Sequence, residues 1–184
     1  EEELQDIIRD ATIIVKYYDN LDQSQKAEMF RRLNNGKPLS TKSRTLASAK
    51  NIGSLLNIGS HQLFHEMLTE KARANKTQAI IVVKAWTMMT KKVEDIAFAS
   101  KSFNPMIEEA EISTEEKQNL VSLFDFIVAV HNELIDNHEK AVAKKLYTET
   151  HLISLVPYIK KSMENNLSEA MVSEWLINFF KTEN

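Results

Sequence analysis

Apolar residues recur along most of this chain at spacings of three and four, the period that gathers them on one face of an α-helix. Leu4, Ile7 and Ile8 mark a short amphipathic helix within Glu2 to Asp10. The period then changes. Thr12 to Tyr18, TIIVKYY, is β-branched and aromatic, ends at the turn-forming Asp19-Asn20, and reads as a strand. It has no comparable partner run in this sequence, so its neighbours are expected in a preceding segment or on another copy. Asp22 and Gln25 have the spacing of a capping box, and Ala27, Phe30 and Leu33 follow on one side, so a helix is predicted over Gln23 to about Leu33. Asn34-Asn35-Gly36-Lys37-Pro38 stops it, because Asn and Gly accept left-handed backbone and Pro cannot continue a helix.

Beyond that stop the pattern is helical. Ser40 or Thr41 caps a helix running towards Asn51, and further helices are predicted near 54–58, 60–73, 77–92, 114–136, 139–163 and 168–181, with weaker structure over 93–112. Ser113 and Glu116 form a capping box ahead of the stripe Leu120, Leu123, Phe124, Ile127, Val128 and His131. Val142, Leu146, Ile153 and Val156 line the 139–163 helix, where Pro157 predicts a kink. The fold class is mainly α: a helical bundle with one short N-terminal strand.

Composition agrees with this pattern. The 184 residues contain only three Gly and three Pro, far below the average usage of about 7% and 5%, which favours long uninterrupted elements. The absence of cysteine excludes a disulfide framework, a thiolate nucleophile and Cys-ligated metal, and is compatible with a cytoplasmic location. The longest apolar run, Ala79 to Val83, is far short of the roughly 20 residues that span a bilayer, so no membrane partner is expected. The first residue is Glu, and the chain is expected to begin inside a longer gene product.

The net charge of −3 conceals a segregation. Residues 31–92 carry 12 bases and two acids, whereas residues 93–139 carry two bases and 11 acids. Two readings stand side by side: a polyanion-binding surface, or two faces that pair with each other. The basic stretch from Arg31 to Lys50 places Arg31, Arg32, Lys37, Lys42 and Arg44 near hydroxyls such as Ser40. These are the candidate phosphate- or nucleic-acid-binding residues, with DNA or a nucleotide as partner.

The run Met29 to Ser40, MFRRLNNGKPLS, carries a resemblance. Residues 2 to about 48 resemble the end of the DGQQR domain, a ParB-like or sulfiredoxin-like α/β fold that forms the N-terminal half of GmrSD-type modification-dependent restriction enzymes of bacteria and phages. The resemblance implies that residues 1–50 close such an α/β domain, whose strand is Thr12 to Tyr18, and that 51–184 form a separate helical domain. In that family an Asp-Gly-Gln-Gln-Arg motif, tied to nucleotide hydrolysis or nicking, accompanies a Phe-x-x-x-Asn motif. The second is matched by Phe30 and Asn34, followed by Gly36 and Pro38; the first is absent from this sequence. A spacing of four puts Phe30 and Asn34 on one helix face. The resemblance therefore implies that Asn34 contributes to a site completed by a missing N-terminal domain, that NTP and Mg are ligands of the full-length protein, and that this chain alone holds no cofactor and no complete catalytic set. Where the family carries an acid before an Arg, this chain has Ser43 before Arg44.

Other chemistry-bearing residues read as structural. His61 and His65 have a metal-compatible spacing but no third ligand and no intervening Glu base, so a capping or exposed pair is expected and no metal site is assigned. His131-Asn132 shares letters with an HNH nuclease but lies inside a helical stripe. Gly53 and Gly59 are isolated helix breaks rather than a phosphate-cradling loop. Trp86, Met88 and Met89 are expected in a helical core or interface, and Trp175 to Phe180 is apolar enough to dock on a neighbour. Two functions are thus expected. The first is the helical C-terminal part of a DGQQR-type protein acting on nucleotides or DNA. The alternative is a non-catalytic helical interaction module that binds a protein partner or another copy of itself.

Overall fold

A computed structural model describes residues 17, 19–33, 40–92 and 95–182. The expected helix over 2–10 and nearly all of the expected strand fall outside the described residues, as do Asn34, Gly36, Lys37 and Pro38. The chain clusters into two compact units, Glu1–Pro38 and Leu39–Asn184. In the first, α1 spans Gln23–Leu33. Its start is the expected capping box: the Gln25 N–H donates to Asp22 Oδ1 at 2.8 Å, and the Asp22 N–H donates to Gln25 Oε1 at 3.1 Å.

The second unit is built entirely of helices among its described residues: α2 Thr41–Ser48, α3 Ile52–Ile58, α4 Gln62–Met67, α5 Glu70–Ala74, α6 Thr77–Thr90, α7 Ser100–Glu108, α8 Thr114–Asp136, α9 Lys140–Leu146, α10 Glu149–Glu164 and α11 Glu169–Thr182. Its axis is α6. Apolar residues surround this helix on all sides, and a helix without a polar face has to be enclosed by others. Ala79, Ile81, Val82, Val83 and Ala85 are buried accordingly, with α3, α5, α7, α8 and α10 packed around them. Its one fully buried hydroxyl, on Thr87, donates to Val83 O at 2.8 Å and so is satisfied within the helix. The long α8 is the second pillar, burying Leu120, Leu123, Phe124, Ile127, Val130 and Leu134 against α4, α9 and α11. Its capping box forms as the sequence predicts, with the Glu116 N–H on Ser113 Oγ and the Ser113 N–H on Glu116 Oε2. No described helix is long and apolar enough to cross a membrane.

Two of the expected helices are each divided in two. The 60–73 segment breaks at Leu68, which is extended, and restarts where Thr69 Oγ1 accepts the Ala72 N–H at 3.3 Å. The 139–163 segment breaks at Tyr147-Thr148, while α10 runs unbroken through Pro157. Tertiary contact accounts for the break: the Tyr147 ring stacks on His131 of α8 at 3.7 Å, and its hydroxyl donates to Glu66 of α4 at 2.9 Å. The weakly patterned 93–112 segment contains α7, which buries Phe103 and Ile107 and packs on α2.

Candidate functional site

Of the motif residues, Phe30 lies among the described residues, and Asn34, Gly36 and Pro38 lie outside them. Phe30, Arg31 and Arg32 lie in the last turns of α1. Ser40 opens the second unit as the cap of α2: its Oγ accepts the Ser43 N–H at 3.1 Å and meets Ser43 Oγ at 2.9 Å. Lys42 turns towards α6, donating to Thr77 Oγ1 at 2.7 Å. Its pKa is lowered by burial and by Lys84 nearby, against the opposing pull of Glu149. Lys84 in turn pairs with Glu149 at 2.6 Å, and its ammonium lies over the Phe98 and Phe103 rings. Arg44 is exposed on α2.

The opposing charge segments meet at several points. Lys50 pairs with Glu109, a bond that raises the lysine pKa. Nearby, the Asn51 amide donates to Ala110 O at 3.0 Å, so the α2–α3 turn is tied to the end of α7. His61 bridges to Asp125 of α8 at 2.9 Å. The two charge segments therefore pair as base and acid at Lys50 and Glu109, and His61 adds a hydrogen bond to Asp125.

His61 is a cap, as its position suggested. The Leu63 N–H donates to His61 Nδ1 at 3.1 Å, which requires that nitrogen to be bare and places the ring proton on Nε2, facing Asp125 Oδ1. His65 faces elsewhere, with its Nδ1 2.5 Å from Arg73 Nη1. Among the described residues no group of three or more His, Cys, Asp or Glu side chains converges as a metal site would require.

Sequence reasoning missed a polar cluster between α4, α8 and the α9–α10 break. Glu66 accepts from the Tyr147 phenol at 2.9 Å and from the Gln62 amide at 2.5 Å. Burial pushes the Tyr147 phenol well above its ordinary range, and Glu66 adds to the shift, so the hydroxyl remains a donor. Burial lowers the His131 imidazole against the pull of Glu66 and Asn132. The His131 Nδ1 is buried without a hydrogen-bond partner among the described residues. The residues involved are separated by up to 81 positions, and no local spacing announces them.

Two concavities bear on the choice of a site, besides one of about 300 Å³ at Trp86, Pro105 and Met106. One, of about 270 Å³, lies where the end of α6 meets α8 and α10. Trp86 donates there to Glu116 at 2.9 Å, and Lys160 donates to Met89 O at 3.0 Å, capping the carbonyl end of α6. The Ser113 N–H and then the Trp86 indole lower the Glu116 pKa. The other concavity is a groove of about 500 Å³ between α10 and α11, lined by Tyr158, Ile159, Leu167, Met171, Val172 and Trp175 together with a few polar side chains.

The groove exists because its two walls follow different neighbours. α10 packs on α6 and α11 packs on α8, so the last two helices have little direct contact. The inner face of α11 is buried at Val172, Ser173, Leu176 and Phe180. Its outer face is also apolar: Met171 is 56% exposed and Trp175 is 41% exposed, beside Leu167 at 37% and Tyr158 of α10 at 61%. Tyr158 and Trp175 stack at 6.0 Å across the mouth of the groove, and Phe179 continues the stack at 5.4 Å.

The chain matches no family model, no curated protein and no solved structure. Its most exposed unusual chemistry is the apolar face of α10 and α11, of which the sequence signalled the Trp175 to Phe180 half. Tyr158 and Leu167 were not foreseen, because their place on this face depends on how α10 and α11 diverge.

Proposed function

We propose that this chain is a non-catalytic helical interaction module that docks a protein partner on the outer face of α10 and α11. The observation that carries this reading is the exposed set Tyr158, Leu167, Met171 and Trp175 beside a 500 Å³ groove. The largest contiguous apolar patch on a protein is often a functional surface. Aromatic and methionine side chains are also the types enriched at the centres of interfaces. The polar residues that the sequence singled out support the reading indirectly: Ser40 and His61 cap helices, and Lys42 ties α2 to α6.

The test is the native size of the tagged protein in extracts of its own cell, for the parent chain and for Trp175→Glu. The reading expects an assembly larger than the monomer that collapses with the substitution. A monomeric parent, or an assembly indifferent to Trp175→Glu, refutes it.

A second reading is favoured by the run Phe30 to Ser40, FRRLNNGKPLS, which resembles the DGQQR family. There the chain would be the C-terminal part of an enzyme acting on nucleotides or DNA, with Phe30 and Asn34 as half of its site. NTP hydrolysis and DNA nicking by the full-length gene product test it, and inactivity towards both substrates sinks it. DNA binding lost on combining Lys37→Glu with Arg44→Glu would favour this reading over the first.

A further inference from the structure

We propose that the cavity where α6, α8 and α10 meet binds a small, uncharged, planar nitrogen heterocycle, held against Trp86 and hydrogen-bonded by Asn119 and Ser122. This site is separate from the docking face and does not depend on it.

Placement is the first argument. The cavity, of about 270 Å³, lies between three long helices of the bundle, and clefts between bundle helices commonly seat small ligands. Its size, near the lower end of the usual range, suits one ring or two fused rings. The apolar part of its lining is Trp86, Met89, Leu123 and Met163. Indole and thioether groups pack favourably against a flat ring. Trp86 also borders the concavity of about 300 Å³ at Pro105 and Met106, so open space lies on more than one side of its indole. The indole is nevertheless fixed in place, because its Nε1 donates to Glu116 at 2.9 Å.

Charge and hydrogen bonding select the ligand. Several polar groups of the lining are already committed to the protein. Glu116 accepts from the Ser113 N–H and the indole, Lys160 donates to Met89 O and pairs with Glu164 at 3.6 Å, and Thr90 Oγ1 donates to Trp86 O at 2.8 Å. The two carboxylates oppose an anion there, and the Lys160 ammonium opposes a cation. Asn119 and Ser122 remain. Their side chains have no hydrogen-bond partner among the described residues, and a spacing of three places them on one face of α8. An amide offers a donor and an acceptor together, and a hydroxyl offers either. The complementary ligand edge is a ring nitrogen beside an amino group, or a carbonyl beside an N–H, on a ring without net charge. Adenine and cytosine carry such edges and serve as probes.

Titration of each probe, followed by the emission of Trp86, tests the proposal in a Trp175→Phe background that leaves one indole in the chain. A saturable change is expected, with a dissociation constant in the millimolar range or below for a ligand of about ten heavy atoms. Asn119→Leu and Ser122→Ala lie at exposed positions of α8 and should leave the helical circular dichroism unchanged. Each should weaken binding about fivefold, the worth of one neutral hydrogen bond. Benzoate and benzylammonium, rings of similar size that carry a charge, should bind more weakly than the probes. No saturable change with either probe up to about 10 mM overturns the proposal, as does tighter binding of either charged ring. Binding that is indifferent to both Asn119→Leu and Ser122→Ala places the probe elsewhere and overturns it as well.

Discussion

Phe64 and Phe124 meet edge to face at 5.2 Å inside the bundle, while Tyr158 and Trp175 stack at 6.0 Å on its outside. Both pairs join two helices, and both are aromatic contacts of ordinary geometry. They differ in what surrounds them. Phe64 and Phe124 have no exposed surface, and His61 closes their cluster at 5.6 Å while capping α4. Tyr158 and Trp175 keep much of their surface in water, over a groove where α10 and α11 separate. The inner cluster is sealed from water; the outer one leaves much of its apolar area exposed.

The sharpest way to break this comparison is Phe124→Ala. Removing a fully buried ring costs about 3 to 5 kcal/mol through lost transfer energy and the cavity left behind. Denaturant unfolding of the variant should show that loss, and a cost below about 1 kcal/mol would mean the inner cluster is no more essential than the outer one.

Ser173 sharpens the contrast within α11 itself. It lies on the buried face, and its Oγ has no hydrogen-bond partner among the described residues. An unsatisfied buried hydroxyl carries a desolvation penalty of about 1 to 3 kcal/mol. Ser173→Ala should therefore stabilise the protein by about 1 kcal/mol, read as a rise in the denaturation midpoint. A drop would show that the hydroxyl has a partner after all.

The cap of α8 tests the helix that both aromatic groups depend on. Ser113→Ala removes one half of the capping box and should cost about 1 kcal/mol. Its Glu116 half adds a pH dependence, because the Ser113 N–H and the Trp86 indole hold the carboxyl below its usual range. A carboxylate whose folded pKa is depressed contributes stability that is complete above the ordinary value. That contribution disappears as pH falls from there through the folded value. Acid titration of stability in Glu116→Gln should therefore be flatter than in the parent over that interval, and an unchanged slope would remove Glu116 from the account.

How much of this was legible in the sequence follows from the range of the forces involved. Caps are local, so Asp22 with Gln25 and Ser113 with Glu116 announced α1 and α8 correctly. The apolar period gave α6 and α8, whose buried residues recur at helical spacing. Long-range contacts were silent. The break at Tyr147 depends on His131 and Glu66, and the packing of α7 on α2 depends on a meeting far apart in sequence. Of the exposed apolar face of α10 and α11, the run Trp175 to Phe180 supplied Trp175 and Phe179, while its Leu176 and Phe180 are buried; the place of Tyr158 and Leu167 on that face is set by the divergence of α10 and α11. Lys42 read as a phosphate ligand by type, and its hydrogen bond to Thr77 appears only in the fold.

Met171 sets the smallest expected effect and the finest test of the comparison. It is more than half exposed on the outer face, so Met171→Ser removes contacts that are mostly with water. Surface substitutions of this kind usually change stability by no more than about 0.5 kcal/mol. Denaturant unfolding of the variant should show a change within that range, and a cost above about 2 kcal/mol would place Met171 in the core with Phe124.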